Sequence, residues 1–196
     1  MYRSISTYAK PILLAIIVYA CLGIALPRQA QATIVEKYLS VPDRRQEQSL
    51  WCWGASGQMV LAYKGITASQ CGVVYWGKYP RYTSCGNRVG DVYEVAQALR
   101  HYGLSQSNGD AGSLTMLQIK GEIDASRPVV AAWWTSWFGG HMVVIRGYKW
   151  NYRDNTRIVY YVDPDPDNGG YKWLHYDQFY KAPDHTWTFT TWKNSR

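Results

Sequence analysis

Residues able to do chemistry gather in three short stretches. The first runs Gln46-Glu47-Gln48-Ser49-Leu50-Trp51-Cys52-Trp53-Gly54-Ala55-Ser56. Cys52 stands where a polar loop gives way to small residues and the apolar run Met59-Val60-Leu61-Ala62-Tyr63, the pattern of a helix entered at its first turn. Unpaired N–H groups and the positive end of the helix dipole favour a thiolate there, and the thiolate is the nucleophilic form of cysteine. Gln46 lies six residues upstream, near enough for its amide to return to the same spot as a donor. A thiolate beside a side-chain amide and a backbone N–H has the parts of a nucleophile with an oxyanion hole. The competing reading is a buried structural cysteine at the head of a core helix.

The second stretch is Phe138-Gly139-Gly140-His141-Met142-Val143-Val144-Ile145-Arg146-Gly147-Tyr148. Its histidine opens a strand pattern behind two glycines, which allow a substrate or backbone to come close. A neutral imidazole at that point can take the proton from Cys52; a capping or surface role is the alternative. His101, His175 and His185 have no comparable setting. The third stretch is Tyr160-Tyr161-Val162-Asp163-Pro164-Asp165-Pro166-Asp167-Asn168-Gly169-Gly170. At the end of the next strand, Asp163 is placed to hold the His141 ring and select its tautomer. Asp163, Asp165 and Asp167 also have the spacing of a calcium loop. The glycine, however, falls one place late at Gly169, Leu174 occupies the twelfth position, and two prolines stiffen the segment. A plain strand-to-turn Asp-Pro is the remaining alternative.

In this order the residues resemble the papain-like cysteine peptidases. Gln46, Cys52, Trp53, Ala55 and Ser56 follow that family's pattern of Gln, five residues, Cys, then Trp and small residues, with Gly54 a mild departure. His141 and the apolar run to Gly147-Tyr148 are similar to the family's histidine strand, with Met142 in place of the usual alanine. Asp163-Pro164 looks like the small bacterial branch: staphopain-like enzymes, papain-like effectors of plant pathogens and double-glycine-leader peptidases. The resemblance spans Gln46 to Phe179. It implies an α+β fold, a helical N-terminal half followed by an antiparallel β-sheet half, with the active site in the cleft between. It implies Cys52 as nucleophile, His141 as base and then acid, Asp163 as orienter, and Gln46 with the Cys52 N–H as oxyanion hole. Trp53, Trp137, Gly139 and Gly140 are the substrate-binding candidates, and at least one of Trp133, Trp134 and Trp137 is expected in the cleft. The implied activity is endopeptidase cleavage of a protein or peptide through a thioester, by a monomer without cofactor or metal. Acyl transfer on the same triad, by a transglutaminase or amidase, is a second reading. A catalytically silent, aromatic-rich binding domain is a third, resting on the abundant Trp and Tyr.

The elements that must position these residues follow a leader. Arg3 and Lys10 precede the apolar run from Ile12 to Leu26, and Ala30-Gln31-Ala32 is an A-x-A ending. This reads as a secretory signal peptide over residues 1–32, with one domain over 33–196 in the secreted or periplasmic chain. An uncleaved anchor fits the small-residue ending less well, and Val18-Tyr19-Ala20-Cys21 is a poor lipobox. The effectors typically lack such a signal, so their host-protein role does not carry over. Loss of Arg3, Lys10 and Arg28 leaves 18 basic against 14 acidic residues, a mild excess that does not mark a nucleic-acid binder. No stable membrane insertion is expected after cleavage.

Export implies an oxidising compartment, and three cysteines remain: Cys52, Cys71 and Cys85. Cys71 and Cys85 flank a turn-rich segment and are expected to pair, which leaves Cys52 as the free thiol. Pairing Cys52 with either would consume the nucleophile. The periodicities predict an extended Thr33–Val41, helices over Cys52–Tyr63, Ser69–Trp76, Val89–Tyr102 and Ser113–Ala125, and strands over Val129–Trp134, Met142–Trp150, Arg157–Val162 and His185–Trp192. A helical turn is expected at Asp177–Tyr180. Leu114, Leu117 and Ile123 are expected to face inward.

Overall fold

The computed structural model describes residues 33–135 and 139–196. The leader and Trp137 lie outside the described residues. Helices gather first: α1 (Cys52–Tyr63), α2 (Gln70–Lys78), α3 (Val92–His101) and α4 (Met116–Asp124), with a short α5 (Tyr176–Tyr180) later. The strands are β1 (Ile34–Tyr38), β2 (Asn108–Ala111), β3 (Val129–Thr135), β4 (Gly139–Asn151), β5 (Thr156–Asp163), β6 (Gly170–His175) and β7 (His185–Trp192). All strand pairs are antiparallel, in the order β2-β7-β3-β4-β5-β6. The result is the expected α+β arrangement.

β4 is the spine of the sheet. One of its edges pairs with β3 over Gly139–Ile145 and then with β1 over Gly147–Asn151; the other pairs with β5. α1 is apolar on almost every side and is accordingly buried. Ser56, fully buried on α1, donates its hydroxyl to the Met142 carbonyl at 3.3 Å, so the cysteine helix is tied to the residue next to His141.

Local capping explains where helices begin. Asp91 and Glu94 form a reciprocal capping box, which starts α3 at Val92 and leaves Val89 exposed. Thr115 and Gln118 do the same for α4. That start lies beyond the expected Ser113 and turns Met116, Ile119 and Ile123 inward, whereas Leu117 is 67% exposed. Leu114 is buried from the loop. β2 and β6 were not expected: β2 has the sequence Asn-Gly-Asp-Ala, without strand-forming side chains, and exists by pairing with β7.

Cys71 on α2 and Cys85 are joined by a disulfide that closes 14 residues. It anchors the segment 86–88, whose Asn87 side chain and Gly86 and Arg88 carbonyls hold the loop before α1 and the helix's first turn. Replacing both cysteines by serine should lower unfolding free energy by about 3 kcal/mol in the chain-entropy model. Urea unfolding of the double variant against the parent measures it, with peptide mapping to verify the pairing in the parent.

Candidate active site

Cys52 is the first residue of α1, is half-buried, and is free of disulfide. Trp51 at the cap position makes no side-chain cap, so the first-turn N–H groups are left for another acceptor. The loop leading to it is held from outside. Asn87 accepts the Leu50 N–H at 3.0 Å and donates to Ser49 Oγ at 2.9 Å. The tryptophans flanking Cys52 donate to the same segment: Trp51 Nε1 to Gly86 at 3.2 Å and Trp53 Nε1 to Arg88 at 2.9 Å. Gln70, almost wholly buried on α2, accepts the Glu47 N–H at 2.9 Å and donates to the Arg45 carbonyl at 2.6 Å. Gln46 thus sits between two residues clamped by one side chain, and its own N–H donates to Pro164 at 2.9 Å, beyond Asp163. Its side-chain amide donates to the carbonyls of Gln48 and Ser49, each at 3.0 Å. Reaching an oxyanion would cost one of those bonds.

His141 is the third residue of β4 rather than its first, and its Cα partner on β3 is Trp133. Its Nε2 lies 2.7 Å from Asp163 Oδ1, which leaves Nδ1 for Cys52. The Asp163 carboxylate is buried and well filled: Oδ1 also accepts the Asp165 N–H at 3.0 Å, and Oδ2 meets Lys172 Nζ at 3.0 Å. Burial alone would favour the neutral imidazole, but the Asp163 hydrogen bond and the adjacent Cys52 sulfur outweigh it and push the His141 pKa from 6.5 up to about 10. Burial likewise favours the neutral acid at Asp163, yet the His141 hydrogen bond and charge, with Asp165 N–H and Lys172, hold it at about 2, below 3.8. An imidazolium therefore faces Cys52.

The remaining candidates divide. Trp53 is 0% exposed, so it is a core residue and not a wall of the cleft, correcting the expectation. Its ring is clasped by Gly77 and Gly90, where a methyl group would come within 2.7 and 2.2 Å of it. Gly139 and Gly140 are exposed, next to His141, and Gly140 lies opposite the 61%-exposed Trp134. Trp133 is buried and donates to the Phe179 carbonyl. The sequence reading missed Gln70, Asn87 and Lys172. None carries a local signal, because their contacts span 23, 37 and 9 residues.

The Asp163–His141 pair makes stability depend on pH in a defined direction. The raised His141 value contributes fully below about pH 6.5 and is lost as pH climbs through about 10; the lowered Asp163 value contributes above 3.8 and is lost as pH falls through about 2. Asp163→Asn should therefore destabilise most between about pH 4 and 6.5, with the gap to the parent narrowing on both sides. Urea midpoints of both proteins across that range test it.

Solved structures of other proteins share this fold. A double-glycine-motif protease from an AMS/PCAT transporter, solved in complex with its leader peptide, is similar over 81% of this chain and 94% of its own, at 21% identity and a TM-score of 0.50. A putative C39-like peptidase from Bacillus anthracis shares 17% identity over 81% of this chain and 97% of its own, TM-score 0.54. The peptidase domain of Streptococcus ComA shares 13% over 78% and 97%, TM-score 0.56. At these identities the likeness shows a common fold. No curated protein matches the sequence. One of these neighbours is named as a C39-like peptidase, and the narrower likeness to staphopains and plant-pathogen effectors is not what the comparisons show. The model of the Peptidase_C39 like family matches residues 38–191, and the chain therefore belongs to that family of cysteine peptidases, within the papain-like clan.

Proposed function

We propose that the chain is an exported cysteine endopeptidase that cleaves a peptide through Cys52, His141 and Asp163. The observation that carries this is the 2.7 Å His141–Asp163 contact with the other ring nitrogen left for the thiol at the head of α1. Cys52 sulfur attacks the scissile carbonyl carbon. Charge then collects on the carbonyl oxygen, where the Cys52 N–H and the Gln46 amide donate. As the C–N bond breaks, His141 gives its proton to the departing amine and a thioester remains. His141 next takes a proton from water, hydroxide attacks the thioester, and the acid product leaves as the Cys52 sulfur and the protonated His141 return to their starting state. Asp163 keeps the ring in one tautomer and offsets the imidazolium charge. A peptide substrate is supported by the neighbour solved with a leader peptide. Gly139 and Gly140 leave room for its backbone beside His141.

Export rests on the leader pattern over residues 1–32, and the disulfide is in keeping with an oxidising compartment. Among the described residues no helix is long and apolar enough to cross a membrane. N-terminal sequencing of the exported protein should begin at Thr33; an intact leader would count against export by cleavage.

Cys52→Ala or His141→Ala should abolish peptide hydrolysis in a folded protein, since the residues act as one unit. Gln46→Ala should reduce turnover by about 10²-fold, the effect of losing one oxyanion donor. Iodoacetamide should label Cys52 stoichiometrically. Full hydrolysis by Cys52→Ala ends the proposal, and amine incorporation in place of hydrolysis would reassign the chemistry to acyl transfer.

A further inference from the structure

Asp163 is shared by two cations. On β4, His141 lies diagonally across from it; on β6, Lys172 pairs with Tyr161, two residues before Asp163, and approaches from the opposite side. Three adjacent strands thus present cation, anion and cation on one face, the arrangement in which cross-strand neighbours interact. The two carboxylate oxygens are divided between them: His141 Nε2 at 2.7 Å on Oδ1 and Lys172 Nζ at 3.0 Å on Oδ2. A carboxylate held at one oxygen can rotate about its own bond; one held at both cannot do so without breaking a charged contact.

Resting on the assignment of Cys52 and His141 proposed above, we propose that Lys172 is a positioning residue of this peptidase: it locks the Asp163 carboxylate and limits how strongly His141 retains its proton. The second part follows from charge. Asp163 stabilises the imidazolium, and a lysine on the same carboxylate offsets that stabilisation. Without Lys172 the ring would hold its proton more tightly and release it to the departing amine less readily. The other titratable groups near the carboxylate are Cys52 beyond the ring, Tyr161 on β5 and Asp165 in the following turn; Lys181, Asp184 and His185 share with Asp163 a cavity of about 560 Å³. Lys172 also lines that cavity and is half-buried. Among the described residues no other cation is within ion-pair distance of Asp163.

The test follows the rate of Cys52 alkylation by iodoacetamide against pH. This needs no substrate, so absent peptide hydrolysis would count against the peptidase reading and leave the result legible. The rate should change stepwise at high pH as His141 loses its proton. In Lys172→Met that step should move to higher pH by about half a unit or more. Lys172→Gln, which keeps a donor without the charge, should move it similarly. Lys172→Arg, which keeps both, should leave it in place. In peptide hydrolysis, Lys172→Met should lose about tenfold in kcat with little change in KM, the mark of misplaced reacting groups. Arginine should restore kcat to within about threefold of the parent. A step unmoved in both Lys172→Met and Lys172→Gln overturns the proposal, as does a chain with no such step. An arginine variant as impaired as the methionine one overturns it too.

Discussion

The His141–Asp163 contact depends on one extra residue in β4. Along the outer part of the β4–β5 pair the register runs from Asn151 opposite Thr156 to Gly147 opposite Tyr160; beyond Arg146 it shifts, and Ile145 stands opposite Tyr161. Arg146 is the additional residue, a β-bulge. Carried inward without the shift, the outer register would set Asp163 opposite Val144, on the face turned away from His141. The bulge sets it opposite Val143, on the face that His141 shares. Strand side chains alternate, so a one-residue slip exchanges the faces. The bulge is held by Arg146 itself, which donates to the Leu39 carbonyl at 3.0 Å and lies over the rings of Tyr38 and Tyr171. β1 closes against Gly147, where a methyl group would come within 2.5 Å of Tyr38 Cβ.

The cysteine side is built differently. His141 and Asp163 sit on regular strands, whereas Cys52 follows a loop with no repeating backbone hydrogen bonds. That loop takes its shape from side chains on other elements: Gln70 from α2, and Asn87 from the segment anchored by the Cys71–Cys85 disulfide. Buried amides of this kind satisfy backbone groups that a loop would otherwise leave unpaired. The two tryptophans around Cys52 serve the same end, each sending its indole N–H to a carbonyl of residues 86–88. In an oxidising compartment the disulfide has two effects. It removes the two cysteines most able to capture Cys52, and it fixes the segment that steadies the loop before it.

Charge ties the halves together. A buried carboxylate is stable here because His141, Lys172 and a backbone N–H all face it. The imidazolium that results has Cys52 as its other neighbour. The carboxylate, the ring and the sulfur therefore form one connected line of groups, and the Ser56–Met142 hydrogen bond holds the helix bearing the sulfur against the strand bearing the ring.

Much of this was legible in the chain itself. Cys52 at a loop-to-helix junction, His141 behind two glycines and Asp163 before a proline are local signals, and so are the period of α3 and the apolar run of β3. These patterns determine element type and the order of the three proposed triad residues, because they follow from backbone geometry over a few residues. Trp53 shows the limit: its place beside Cys52 suggested a cleft wall, but packing against Gly77 and Gly90 buries it. Leu117 fails in the same way, since a capping box starting at Thr115 set the phase of α4. The strands β2 and β6, the bulge at Arg146, and the clamps from Gln70, Asn87 and Lys172 were decided only by the tertiary structure. Each is defined by a partner on another element, and no local pattern encodes which one the folded chain will bring near.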